Sequence, residues 1–235
     1  KAINGLALFK PENIKIKFQE IQIDQKKSII STKGITKIED VSRNLIVESE
    51  SVKYNKKIRI LKSNSKSILK DKFNNSLSSG SFYYDIKKNI LKVQNSTLKD
   101  SKNNIFNIEL AFINTKLNKL FGKDIEIDLN NESFNKENEP RLKGRTLVHE
   151  NDYTEVTKGV FTTCKKRDGC PPWLLTAEEV EHDKLKKTIN YKNAWLKVYD
   201  IPVLYFPKFF HPDPTVKRQS GFLMPKFSDS RSLGS

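Results

Sequence analysis

The sequence predicts an all-β fold, an elongated antiparallel sheet structure with two facing layers. Three observations predict it. Short alternations of apolar and polar residues recur along the chain. No long segment holds a clean helical period. A loose repeat returns roughly every 30 residues, as in chains that stack paired strands on their neighbours.

The alternation begins at NIKIKFQ, Asn13 to Gln19, which places Ile14, Ile16 and Phe18 on one face. EIQID continues it with Ile21 and Ile23, and KDIEIDL places Ile125, Ile127 and Leu129 together. Period two over such lengths is a strand with one wet face. LAFINTKLNKLF, Leu110 to Phe121, comes nearest to a helix and also reads as two strands around Asn118.

The repeat runs IDQKKSII from Ile23, YNKKIRIL from Tyr54, YDIKKNIL from Tyr84 and INTKLNKL from Ile113, with HDKLKKTI from His182 as a later copy. Each reads as strand, tight turn, strand, because Asp or Asn followed by lysines is turn chemistry. ESFNKENEPRLKGRT, Glu132 to Thr146, is polar, holds Pro140 and Gly144, and reads as a loop at a possible subdomain boundary. From Pro171 onward proline is common, so the aromatic stretch NAWLKVYDIPVLYFPKFFHPDP is expected to include sheet edges and bends.

The chain has 235 residues, 36% of them apolar, enough for one or two domains with a real core. Net charge is +15, yet only 7 of the 43 basic residues are arginine. Base readout and bidentate phosphate clamps favour arginine. The lysines are also spread through the strands, which fits a solvated face or anion contacts better than nucleic acid. No window approaches about 18 consecutive apolar residues, so no transmembrane helix is expected. The chain opens on Lys1 with no visible signal peptide, which reads as a processed or trimmed product.

Cys164 and Cys170 enclose KKRDG. Gly169 permits a tight reversal, so the pair suits a local disulfide, or each cysteine pairs outside this segment. The spacing is wrong for a thioredoxin-like pair. A zinc site would need further ligands, with His182 and His149 as the candidates. A Cys164–His182 nucleophile pair defines an alternative, a cysteine-dependent envelope enzyme, although nothing nearby in sequence orients the imidazole. A basic nucleic-acid-binding module is the other alternative. No glycine-rich phosphate loop is present and no cofactor is expected. Trp173, Trp195, Tyr199, Tyr205, Phe206, Phe209 and Phe210 read as core, subunit contact or membrane-interface aromatics.

The C-terminal third carries a resemblance. FTTC, then PPWLLTAEEVEHDKLKKTINYKNAWLKVYDIPVLYFPKFFHPD, then KRQSGFLMPKF, is similar to the lipopolysaccharide-assembly outer-membrane protein family, LptD. The matching positions are Cys164, Trp173, His182, Asp183, Asn193, Ala194, Lys197, Val198, Pro202, Val203, Tyr205, Pro207, Ser220, Gly221, Phe222, Leu223 and Pro225. They span roughly Gly159 to Pro225; residues 1–158 match only in texture, as repeated strand units.

The resemblance implies a periplasmic, OstA-like β-jellyroll over residues 1–215, V-shaped and twisted, followed by a linker and the start of an outer-membrane β-barrel over 216–235. It implies a protein at the periplasmic face of the outer membrane that receives lipopolysaccharide from a homologous bridge protein and passes it to the barrel without bond chemistry. It also implies a plug lipoprotein as the barrel's partner. In the family, soluble-domain cysteines bond to cysteines at the barrel's far end. Cys164 fits that position, and Cys170 lies where some relatives carry an additional cysteine; a local bond and a barrel-linking bond both stay open.

The residues agree with this independently. Alternating strands in two layers leave an apolar interior for acyl chains, each buried CH₂ being worth about 0.8 kcal/mol. Ile14, Ile16, Phe18, Ile21, Ile23, Phe82, Tyr84, Ile125 and Ile127 are the lining candidates, with the opposite strand faces equally open. Rim lysines suit phosphates. The N-terminal strand edge near Ile14 to Phe18 is the expected docking edge for the bridge protein.

Overall fold

The computed structural model describes residues 1–10, 13–130, 139–166, 171–212 and 216. The strands are β1 (Ala2–Phe9), β2 (Ile14–Asp24), β3 (Ile29–Asp40), β4 (Leu45–Ser49), β5 (Lys53–Asn55), β6 (Ile60–Ser63), β7 (Ser67–Lys70) and β8 (Ser76–Asp85). They continue as β9 (Ile90–Lys99), β10 (Ile105–Asn114), β11 (Lys119–Asp128), β12 (Arg141–Glu150), β13 (Tyr153–Thr162), β14 (Trp173–Asp183), β15 (Thr188–Val198) and β16 (Ile201–Pro212). All pairing is antiparallel, in the order β1-β2-β3-β4-β7-β8 and then sequentially to β16. At about 4.8 Å per strand such a ladder runs on the order of 60 Å, so the molecule is elongated.

The sheet is folded over along a crease. Each long strand is kinked near its middle, where the ladder of cross-strand pairs is interrupted. Between β1 and β2, Ile3↔Glu20 is followed by Gly5↔Phe18; between β10 and β11, Ile108↔Ile125 is followed by Leu110↔Lys123. On alternate strands the skipped residue is left-handed: Asn4, Asn95, Asp124, Lys158 and Asn193 have φ of 48–51°. Asparagine and aspartate tolerate that region best among residues bearing a Cβ. The kink shifts the alternation by one, so Phe18 and Ile21, three apart, both point inward.

The two halves of every strand thereby become two wings. In β3 the first half pairs with β5 and the second with β4; in β8 one half pairs with β7 and the other with β6. The fork at β4–β7 is the same crease, here lined by hydroxyls. Thr36 donates to Thr32 at 2.8 Å, Ser67 donates to Ser49 at 3.0 Å, and Ser49 and Ser63 share a bond of 3.0 Å. Small residues are needed inside an acute fold, and each buried hydroxyl finds a partner there.

Turns alternate between the wings, and the 30-residue repeat is one wing's row of turns. Each copy opens with a carboxylate or amide oxygen that accepts from backbone N–H groups two or three residues on. Asp24 accepts from Lys27, Asn55 from Lys57, Asp85 from Lys88, Asn114 from Lys116 and Asp183 from Leu185. Each closes on a left-handed residue, Ser28, Arg59, Asn89, Asn118 or Lys187, at φ 53–59°. Successive turns are stitched by main-chain bonds such as Thr115 N–H to the Asn89 carbonyl, 2.9 Å. The asparagine and lysine richness of the chain is therefore the chemistry of two stacked turn rows.

LAFINTKLNKLF is the β10–β11 hairpin, not a helix. The expected loop at Glu132 to Thr146 is overturned in its second half. Arg141–Glu150 is β12, paired on both sides, with Gly144 at the crease and Leu147 in the core. Glycine and charged residues concealed a strand whose inner face needs a gap at that point. Of the expected linker 216–235, only Val216 lies within the described residues.

Candidate binding trough

Between the wings the N-terminal part is packed solid. Ile14, Ile16, Phe18, Ile21, Phe82 and Tyr84 are all buried in the core cluster with Ile30, Ile38, Tyr54 and Leu61. Arg43, in the β3–β4 turn, seals the mouth at this point. Its guanidinium donates to the Asn89 side-chain oxygen at 2.8 and 2.6 Å and to the Ile86 carbonyl at 3.1 Å, both on the opposite row of turns. It also donates to buried Asp40 at 2.9 Å, so removing it would strand a carboxylate in the interior.

Beyond this clasp the wings diverge and enclose a trough of about 1750 Å³. Drug-sized pockets run to about 300–1,000 Å³, so this volume suits a long ligand. One wall carries the cross-strand row Leu69, Leu77, Leu98, Phe106, Ile127, Leu142 and Phe161, each opposite the next in register. The facing wall carries Leu91, Ile113, Leu120, His149, Thr154 and His182 in the same manner. The two rims are the turn rows, and Lys72, Lys87, Lys102, Lys116 and Lys184 stand on them. Asp71, Asp100 and Asp152 also stand there; the Asp71 and Asp100 carboxylates are engaged by turn amides, Asp100 by Lys102 and Asn104. The mouth is thus cationic over an apolar floor.

The predicted lining divides accordingly. Ile127 lies in the trough wall. Ile125 is buried next to the crease, and the six N-terminal candidates form the closed core behind the clasp. Ile23 is 53% exposed, because β1 reaches only to Ile21 and gives it no neighbouring strand on that side. The sequence reading missed Leu98, Phe106, Ile113 and Leu142. The signal was present: in FNIELAFI the inward residues Phe106, Ile108, Ala111 and Ile113 keep period two on either side of a one-residue step. The free edge lies one strand further out than expected. Ile14 to Phe18 lie in β2, paired with β1 and β3, and the free edge is β1, with Leu6 and Leu8 exposed.

Cys164 is a free, half-buried thiol beside the Trp173 carbonyl, 3.8 Å away. Cys170, and with it the expected 164–170 bond, lies outside the described residues. His182 pairs opposite Thr154, while Cys164 follows the far end of β13, on the other wing. This thiol and this imidazole are held apart at opposite ends of the strands, against the alternative of a Cys164–His182 nucleophile pair. Among the described residues no group of three His, Cys, Asp or Glu side chains gathers as a metal site. Among the described residues no helix is long and apolar enough to cross a membrane.

His149 is held below its ordinary histidine value, first by burial and then by the Lys184 cation; its Nδ1 shares a 2.8 Å bond with the Thr154 hydroxyl. Tyr191 is buried, which pushes its phenol up, and its hydroxyl meets His211 Nε2 at 2.9 Å.

No protein-family model matches the chain. It is 40% identical over 79 residues to LPS-assembly protein LptD of Shewanella frigidimarina, covering 34% of this chain and 10% of that protein. It is 42% identical over 74 residues to the LptD of Shewanella denitrificans, covering 32% and 9%, and 35% identical over 89 residues to that of Yersinia enterocolitica, covering 37% and 11%. Among solved structures, LptH of Pseudomonas aeruginosa, the LptA-homologous periplasmic component of the lipopolysaccharide transport device, aligns at a TM-score of 0.42 and 12% identity, over 47% of this chain and 81% of that one. The chain spans about a tenth of the length of the curated relatives it matches. Over about a third of its own length it is homologous to LPS-assembly protein LptD.

Proposed function

We propose that this chain is a lipid conduit of lipopolysaccharide transport, acting at the periplasmic face of the outer membrane without breaking bonds. The observation that carries the reading is the trough itself: two apolar walls under a lysine-bearing rim, in a chain partly homologous to LptD. Acyl chains lie against the walls, where each CH₂ removed from water contributes about 0.8 kcal/mol. The phosphorylated sugars stay in the mouth, where flexible lysines meet them as point charges.

The edge β1 receives the sheet of a bridge protein by main-chain pairing, which accounts for leaving Leu6 and Leu8 in water. Lipopolysaccharide then leaves toward a barrel and its plug lipoprotein. Site-specific photo-crosslinking in cells tests the reading. A photoreactive residue at Leu98 or Ile113 should capture lipopolysaccharide, and one at the outward neighbours Thr97 or Phe112 should not. The same reagent at Leu6 should capture a protein. Equal lipid labelling on the two strand faces would remove the conduit.

A further inference from the structure

All three histidines of the chain lie along one line of the trough. On one wing the row just below the rim runs Ile30, Tyr54, Leu61, Tyr84, Leu91, Ile113 and Leu120, apolar or aromatic throughout. From β12 onward the same row reads His149, Thr154, His182, Ile189, His211. The repeat itself records the change, since the position held by Ile23, Tyr54, Tyr84 and Ile113 is held by His182 in the later copy. The facing wall stays apolar over the same strands, through Leu142, Phe161, Leu175 and Leu196. A cavity meant for acyl chains alone would not change character on one side only.

His211 is a structural member. Its Nδ1 bonds the Pro212 carbonyl at 2.7 Å and its Nε2 the Tyr191 hydroxyl at 2.9 Å, and it is buried. His149 and His182 stand on either side of Thr154 in that row, and they border the trough together with Lys184 on the rim. Strands two apart are separated by roughly 9–10 Å, and among the described residues no third His, Cys, Asp or Glu gathers with the two rings as a metal site. Two donors gripping one phosphate stand up to about 8 Å apart, a span that side chains projecting from strands at this spacing can reach.

We propose that His149, Thr154 and His182, with Lys184 above them, form a subsite for the phosphate-bearing head of an amphiphile whose chains lie against the opposite, apolar wall. The proposal rests on the conduit reading and adds where along the trough the head is held. With Thr154 donating to His149 Nδ1, the Nε2–H of that ring is the donor for a phosphate oxygen. Lys184 supplies the charge, and Asp152 and, across the mouth, Asp100 complete the charged groups around His149. Asp100 is occupied by its own turn amides.

Imidazole NMR titration of the 235-residue chain tests this with dodecyl phosphate, uncharged dodecyl maltoside and inorganic phosphate. Dodecyl phosphate should shift His149 and His182 and bind about tenfold more tightly than to the His149→Leu/His182→Leu variant, the loss expected for charge-assisted hydrogen bonds. Dodecyl maltoside should bind that variant as well as, or better than, the parent chain, because the substitution continues the Leu120 row. Lys184→Ala at the rim should weaken only dodecyl phosphate, which keeps the test valid if the double variant folds poorly. If dodecyl maltoside binds but the phosphate adds nothing, the subsite is wrong and the trough stands. If neither amphiphile binds, both fall. If inorganic phosphate binds as tightly as dodecyl phosphate, the site is one for free phosphate and the lipid-head assignment is overturned.

Discussion

Gly144→Ala is expected to lower stability by about 1–3 kcal/mol, the range for overpacking a filled interior. On backbone entropy alone a glycine-to-alanine change in a strand stabilises by about 0.4–1 kcal/mol. Packing at the crease reverses the sign. A Cβ at residue 144 falls well inside van der Waals contact with the Val156 side chain and 3.3 Å from the Thr157 carbonyl oxygen. Val156 is β-branched, buried and unable to swing away, and the carbonyl belongs to the neighbouring strand. Gly80 provides the control. It sits at the same crease, but a Cβ there meets nothing closer than the Gln94 carbonyl oxygen at 3.8 Å, so Gly80→Ala should be neutral or mildly stabilising. Denaturant melts of the two variants check the pair. Val156→Ala should recover part of the Gly144→Ala loss as a coupling on the order of 1 kcal/mol. A Gly144→Ala protein as stable as its parent would mean that the wings are not closed on each other there.

The same crease explains what could be read from the sequence. Alternation and the 30-residue recurrence stated the strands and one row of turns, because both are local: a period of two, and an Asp or Asn whose side chain caps the next amides. The kinks were present as one-residue slips, between Phe18 and Ile21 or between Ile108 and Ala111, and as asparagine and aspartate at mid-strand. Each taken alone looks like a strand end. Only their alignment across neighbouring strands makes a fold line, and alignment depends on register, which no single strand states. The trough was harder still. Ile14 and Ile127 look alike in sequence, since both alternate inward. Arg43 separates them, by reaching a turn 46 residues away and closing the wings over the first while leaving the second at an open wall. The edge strand was misplaced for a related reason: KAINGLALF alternates weakly and holds Gly5, whose missing Cβ makes room for the Phe18 ring.

Phe106→Asp combined with Ile113→Asp is expected to abolish binding of a long-chain amphiphile, by roughly 100-fold or more, and to leave the fold intact. The two residues face each other from opposite walls, and both are only partly buried. While the trough is empty their carboxylates stand in water and cost little. When an acyl chain enters, that water must leave, and each carboxylate then loses its solvation with no partner to replace it, a penalty of roughly 2 kcal/mol or more on the mildest scale. The cost therefore falls on the occupied state and hardly at all on folding. The same change at Val93, which has no exposure, would instead be met in the empty protein and unfold it. Phe112→Asp is the matched control, one residue from Ile113 on the outer face, where the ring packs against the Lys92 ammonium. It should leave affinity unchanged. Fluorescence or calorimetric titration beside a melting curve decides the matter. A double variant that melts like its parent and still binds the amphiphile at parental affinity would show that the chains lie elsewhere, since no apolar contact of this kind survives two uncompensated charges at its centre.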